Sequence, residues 1–139
     1  MAIEVRGVCT LLLVFDMPTA LRFYRDVLGF QIVDTSHPGA GDRVDWCYLR
    51  LDSAEVMLNA AYEEPERPRA PEQSRVAAHA DTCLYFCCPD VDGAYRHLRA
   101  KGIDAQEPTI AHYGMKQLYV SDPDGYLLCF QRRVEAPAL

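Results

Sequence analysis

With 139 residues, half of them hydrophobic, the chain is long enough to bury one real core, and a single compact unit is the default expectation. A formal charge of -6 excludes phosphate-backbone binding as its business, since nucleic-acid-binding proteins gather Lys and Arg on one face. No stretch approaches the ~20 apolar residues of a spanning helix, and charge interrupts Met1–Arg6, so no membrane role and a cytoplasmic location are expected.

The elements follow in order. Val8 to Phe15 is an apolar, β-branched and leucine-rich run that reads as a strand. Asp16-Met17-Pro18 then opens a helix, with an acidic residue near its start and proline at the first helical position. Leu21, Tyr24 and Leu28 recur at helical spacing, and Gly29 closes the helix. Strands are expected over Gln31–Thr35, Asp45–Leu51 and Glu55–Ala60. The halves are joined by a connector of residues 62–81, which reads as a linker or a lid and in which Glu63 to Pro71 is too proline-rich and charged for regular structure.

The second half repeats the first. Cys83–Cys87 is a strand, Asp90 opens a helix through Ala94 and Leu98, and Gly102 ends it. Asp90 lies 74 residues after Asp16, Ala94 lies 74 after Ala20, and Gly102 lies 73 after Gly29. Three further strands are expected, over Asp104–Glu107, Lys116–Ser121 and Tyr126–Arg132. Asp122-Pro123-Asp124-Gly125 between the last two is a tight turn, with Pro123 fixing one corner and Gly125 supplying a positive φ. The fold class is therefore α+β: two tandem βαβββ modules, residues 5–61 and 82–133, in one domain over 1–139. Each module leaves one sheet face bare, so the sheets are expected to pair around a concave ligand pocket.

Cys9, Cys83, Cys87 and Cys129 sit inside apolar strand-like runs, which suits free thiols in a reducing compartment rather than a disulfide framework. The adjacent pair Cys87-Cys88 reads as ordinary packing, because a vicinal disulfide strains its peptide. Trp46, Tyr48, Tyr85 and Tyr119 alternate with apolar neighbours, so part of this set faces the concave side and is expected to grip a flat or apolar ligand. Core filling is the competing reading for each. His37, His79 and His97 carry no assigned role.

The paired modules, the run Asp16 to Phe30 with its Phe-Tyr and Leu-Gly-Phe steps, and the closing Asp-Pro-Asp-Gly strand together resemble the vicinal oxygen chelate superfamily. It includes glyoxalase I, extradiol dioxygenases, fosfomycin-resistance enzymes and bleomycin-resistance proteins. The resemblance covers Val8 to Gln131. It implies metal ligands, commonly His or Glu, on the first and fourth strands of each module. Counting seven residues back from each helix-opening Asp points to Cys9 and Cys83, and seven on from Asp122 points to Cys129. A 71-residue offset that also pairs Tyr48 with Tyr119 points to Leu58 for the fourth place, with Asn59 the candidate if the register slips by one.

Three readings of these cysteines stay open. They form a thiolate site for zinc or another thiophilic divalent ion; or they pack as small apolar residues where a metal site once was; or one of them does thiol chemistry, activated by a cation such as His112 or Lys116 on the loop before the seventh strand. Two functions follow. One is a glyoxalase-like lyase or dioxygenase of atypical mechanism, weakened by the absence of the metal-bound Glu base. The other is a metal-free drug- or metabolite-binding protein resembling bleomycin-resistance proteins. The ligand pocket is expected at Trp46, Tyr48, Asn59, Tyr85, His112 and Tyr119, and the resemblance implies a homodimer.

Overall fold

The computed structural model describes residues 1–134. It divides into two compact units, Met1–Ala70 and Pro71–Leu139. No helix among the described residues is long and apolar enough to cross a membrane.

In the first unit, strand β1 (Thr10–Val14) leads to helix α1 (Met17–Leu21), followed by β2 (Gln31–Thr35), β3 (Trp46–Leu51) and β4 (Ala54–Ala60). Asp16 caps α1 by accepting from the Thr19 backbone N–H at 3.2 Å and the Thr19 hydroxyl at 2.5 Å. Met17 takes the first helical position and Pro18 the second, where a missing N–H costs nothing. The helix then widens into a π-helical turn over Arg22–Val27, closed by the Leu28 N–H to the Phe23 carbonyl at 2.9 Å. The sheet order is β1-β4-β3-β2, with β1 parallel to β4 and the other pairs antiparallel. Alternation sends Leu12, Val14, Cys47, Leu49, Val56 and Leu58 into the core, where each is 2% exposed or less. Full burial of each leucine is worth about 2 kcal/mol.

The second unit repeats this order as β5 (Cys83–Cys87), α3 (Val91–Ala100), β6 (Thr109–Ile110), β7 (Met115–Ser121) and β8 (Leu127–Arg133), in the sheet order β5-β8-β7-β6. Asp90 caps α3 through the Gly93 N–H at 2.9 Å. The helix packs on β7 and β8 and buries Val91 and Leu98, while Leu118, Val120 and Leu128 are buried from the sheet. Phe86 and Phe130 stack at 5.1 Å.

Two expected elements differ. The sixth strand lies at Thr109–Ile110, not Asp104–Glu107, because Pro108 has no N–H to give and the ladder with β7 starts only after it. The connector does hold regular structure: a 3-10 turn at Glu64–Glu66 and helix α2 at Gln73–Ala78, followed by a second 3-10 turn at His79–Asp81. Each half is anchored to its own unit. Arg67 donates to the Asp16 carboxylate and lies over the Phe15 ring at 5.5 Å. His79 stacks on Tyr126 at 4.0 Å, with its Nδ1 2.7 Å from the Asp124 carbonyl oxygen.

Candidate functional site

Side chains along β5, β7 and β8 alternate between the helix-covered face and the open one. The register places Tyr85 beside Cys129 and Cys129 beside Tyr119, and in the next row Cys87 beside Gln131 and Gln131 beside Gln117. The open face of the second sheet thus carries two tyrosines, two glutamines and the thiols of Cys83, Cys87 and Cys129. Gln117 is 5% exposed, whereas Tyr85 and Tyr119 are 54% and 39% exposed.

A buried amide must be satisfied, and Gln117 is satisfied on every side. Its Nε2 donates to the Tyr113 hydroxyl at 2.9 Å and to Gln131 Oε1 at 3.0 Å. Its Oε1 accepts from the Tyr119 hydroxyl at 3.4 Å, and the Tyr119 and Tyr85 hydroxyls lie 3.3 Å apart with their rings edge to face. The hydrogen bond with Tyr85, followed by burial and the neighbouring Cys129, raises the Tyr119 pKa, so this phenol is neutral at physiological pH. Beside it, a cavity of about 480 Å³ opens against residues 103–109, lined by Glu107, Thr109, Gln117, Tyr119, Ser121 and Leu127. That volume suits a small organic molecule.

The predicted residues divide as follows. Tyr85 and Tyr119 share the open face with Cys83 and Cys129. His112 is exposed in the turn between β6 and β7, its ring packed edge-on against Tyr113 at 5.1 Å. Lys116 does not face this surface: its place in β7 sends it to the helix side, where its Nζ pairs with Asp92 at 2.7 Å. In the first unit Trp46, Tyr48 and Asn59 occupy that sheet's own open face, and Arg50 donates to the Tyr48 hydroxyl at 3.0 Å.

Leu58 is not the counterpart of Cys129. Tyr48 pairs with Met57 as Tyr119 pairs with Cys129, and Leu11 pairs with Met57 as Tyr85 pairs with Cys129. The offset is therefore 72 residues at this strand, and Leu58 is fully buried in the core instead.

Burial pushes the thiols of Cys9, Cys83 and Cys129 up, in Cys129 against a hydrogen bond with Tyr119 and in Cys83 against one with Tyr85. Cys47, on the helix side of the first sheet, is pushed up to about 11. A thiol nucleophile at neutral pH needs the opposite shift. Among the described residues no three His, Cys, Asp or Glu side chains form a group able to hold a metal ion. The three thiols on this face, Cys83, Cys87 and Cys129, form no such group and do not meet the four-ligand demand of zinc.

Sequence reasoning singled out the aromatics and missed Gln117, Gln131 and Tyr113. The signal was present: Gln117 and Gln131 each stand two residues from a singled-out neighbour, Tyr119 and Cys129, and so share its face.

A sheet open on one side and covered by a helix on the other, built twice in one chain, defines a protein of the paired βαβββ class. Residues 8–130 match the Glyoxalase/Bleomycin resistance protein/Dioxygenase superfamily, and the chain belongs to it. Among solved structures, TioX from Micromonospora sp. ML1 is similar at a TM-score of 0.70 and 21% identity, over 94% of this chain and 100% of that one. TnmS3, an antibiotic binding protein from Streptomyces sp. CB03234, is similar at a TM-score of 0.65 and 24% identity, over 96% of this chain and 98% of that one. The virulence protein STM3117 from Salmonella typhimurium has the same TM-score of 0.65 at 24% identity, over 96% of this chain and 100% of that one. Among curated proteins none matches the sequence.

Proposed function

We propose that this chain is a small-molecule-binding protein that takes a flat, hydrogen-bonding ligand on the open face of its second sheet. The observation that carries the reading is the Gln117 network, a fully satisfied buried amide holding two half-exposed phenols beside a cavity of about 480 Å³. Aromatic rings supply stacking area, and the hydroxyl and amide groups supply orientation. The antibiotic-binding description of TnmS3 is consistent with such a role. A glyoxalase-like enzyme is the weaker reading, because neither Met57 nor Cys129 can act as a carboxylate base. A homodimer is the assembly proposed, to be checked by light scattering.

Titration with flat hydroxylated aromatics such as β-naphthol and umbelliferone, followed by fluorescence, is expected to saturate at about one site per chain. Tyr119→Ala should weaken that binding by roughly tenfold or more. Absence of saturable binding to the native chain would overturn the reading.

The thiols on this face act as small packing groups. Elemental analysis of protein purified without chelator is expected to give well below one zinc per chain, unchanged in Cys129→Ser. A full equivalent of zinc, lost in that variant, would restore the thiolate site.

A further inference from the structure

The first unit has a cavity of its own, of about 170 Å³, at the end of the sheet where β1 and β4 stop and β3 starts. Its wall is mainly apolar: Phe15, Met17, Pro18, Val44 and Tyr62, with the Phe15 and Tyr62 rings edge to face at 6.2 Å. An apolar protein cavity of about 150 Å³ takes up one benzene ring. This one therefore has room for a single six-membered ring and little more.

Two guanidinium groups line the same cavity, and they are held very differently. Arg67 is fixed, donating to Asp16 and lying over the Phe15 ring at 5.5 Å. Arg43 is loose. Only its Nη1 is engaged, 3.4 Å from Glu64 Oε1 and 3.6 Å from Asp16 Oδ1, and its Nε and Nη2 meet no partner among the described residues. A charged N–H···O bond closes at about 2.7–2.9 Å, as Arg25 shows with Asp42 at 2.8 and 2.9 Å. The Glu64 carboxylate bridges both arginines, at 3.4 Å from Arg43 and 3.6 Å from Arg67, yet its side chain is 67% exposed. A pair so exposed contributes little and is easily exchanged.

We infer that this cavity is a binding site for a small aryl carboxylate, with the ring against Phe15 and Tyr62 and the carboxylate on Arg43 in the place of Glu64. One carboxylate replaces another, so the charge balance with Asp16 and with Asp45, which also lines the cavity, does not change. The unspent Arg43 donors then gain an acceptor at full hydrogen-bond length, while the ring leaves water. A neutral ring gains only the second of these, and a carboxylate without a ring only the first. All the lining residues belong to the first unit, so the site is additional to the one on the second sheet.

Benzoate, benzyl alcohol and acetate separate the ring from the charge. In titrations of the native chain at neutral pH followed by amide NMR, benzoate should saturate a site and shift the Val44, Asp45 and Tyr62 signals. Benzyl alcohol, with the ring and no charge, and acetate, with the charge and no ring, should each bind about tenfold more weakly. Arg43→Gln should lower benzoate affinity about tenfold. Glu64→Gln removes the competing carboxylate and should raise it about threefold. Both side chains are more than half exposed, so both variants keep the fold. Equal affinity for benzoate and benzyl alcohol, or a benzoate affinity that Arg43→Gln leaves unmoved or Glu64→Gln fails to raise, would overturn the site. So would benzoate shifts confined to Gln117 and Tyr119 on the second sheet, or no saturation up to about 10 mM.

Discussion

Gly125→Ala is expected to lower the melting temperature by roughly 10 °C or more, a loss of about 3–4 kcal/mol. Gly125 sits at a φ of +86°, and a Cβ there would lie 2.4 Å from the Val76 carbonyl oxygen and 2.9 Å from Val76 Cγ1. Two costs add: the left-handed backbone, about 1–2 kcal/mol for a residue with a Cβ, and the displacement of α2 at Val76 from the turn it touches. Gly102→Ala is the control, because its φ is +83° but no atom lies within 4 Å of its Cβ position. It should show the backbone cost alone. Equal effects of the two substitutions in thermal unfolding would show that the close approach of α2 to the turn contributes nothing.

The second large effect tests the strand register. Leu58→His places an imidazole where no surface is exposed, between Leu12 on β1 and Cys47 on β3. The lost packing and the unpaired ring nitrogens should cost about 3–5 kcal/mol. Met57→His, one residue away, puts the same group on the open face at a half-buried position and should change stability by less than about 1 kcal/mol. Urea unfolding of both variants decides it. A tolerated Leu58→His with a damaging Met57→His would mean that β4 runs in the other register.

Much of this fold could be read from the chain because its punctuation is strong. Asp16 and Asp90 cap helices as their positions suggest, and Asp122 accepts from the Asp124 and Tyr126 N–H groups at 2.9 Å each, which is the turn its sequence implies. The failures came where one residue decides. β3 and β4 join through a two-residue hairpin, Asp52-Ser53, with Asp52 at a φ of +51°. β7 and β8 join through a longer turn in which Asp122 donates its N–H to Tyr126. The change in turn length moves the pairing by one residue, and a one-residue slip sends every side chain to the opposite face, so counting from Tyr119 led to Leu58 rather than Met57. The π-helical turn at Arg22–Val27 carries no comparable sequence mark. The polar network was hidden for another reason: glutamine on a strand reads as solvated, and only the cross-strand register shows Gln117 and Gln131 to be partners.

The burial of Gln117 has a thermodynamic consequence. Phenol hydroxyls at a protein surface normally rotate, and a ligand that fixes them loses part of its affinity to that ordering. Here the Tyr119 hydroxyl already lies within reach of Gln117 Oε1 and of the Tyr85 hydroxyl, so part of the ordering cost falls on folding rather than on association. Calorimetry of a ligand held on this face should accordingly show a small entropic penalty, and Gln117→Ala should weaken binding chiefly through entropy, by freeing hydroxyls that the native chain holds still.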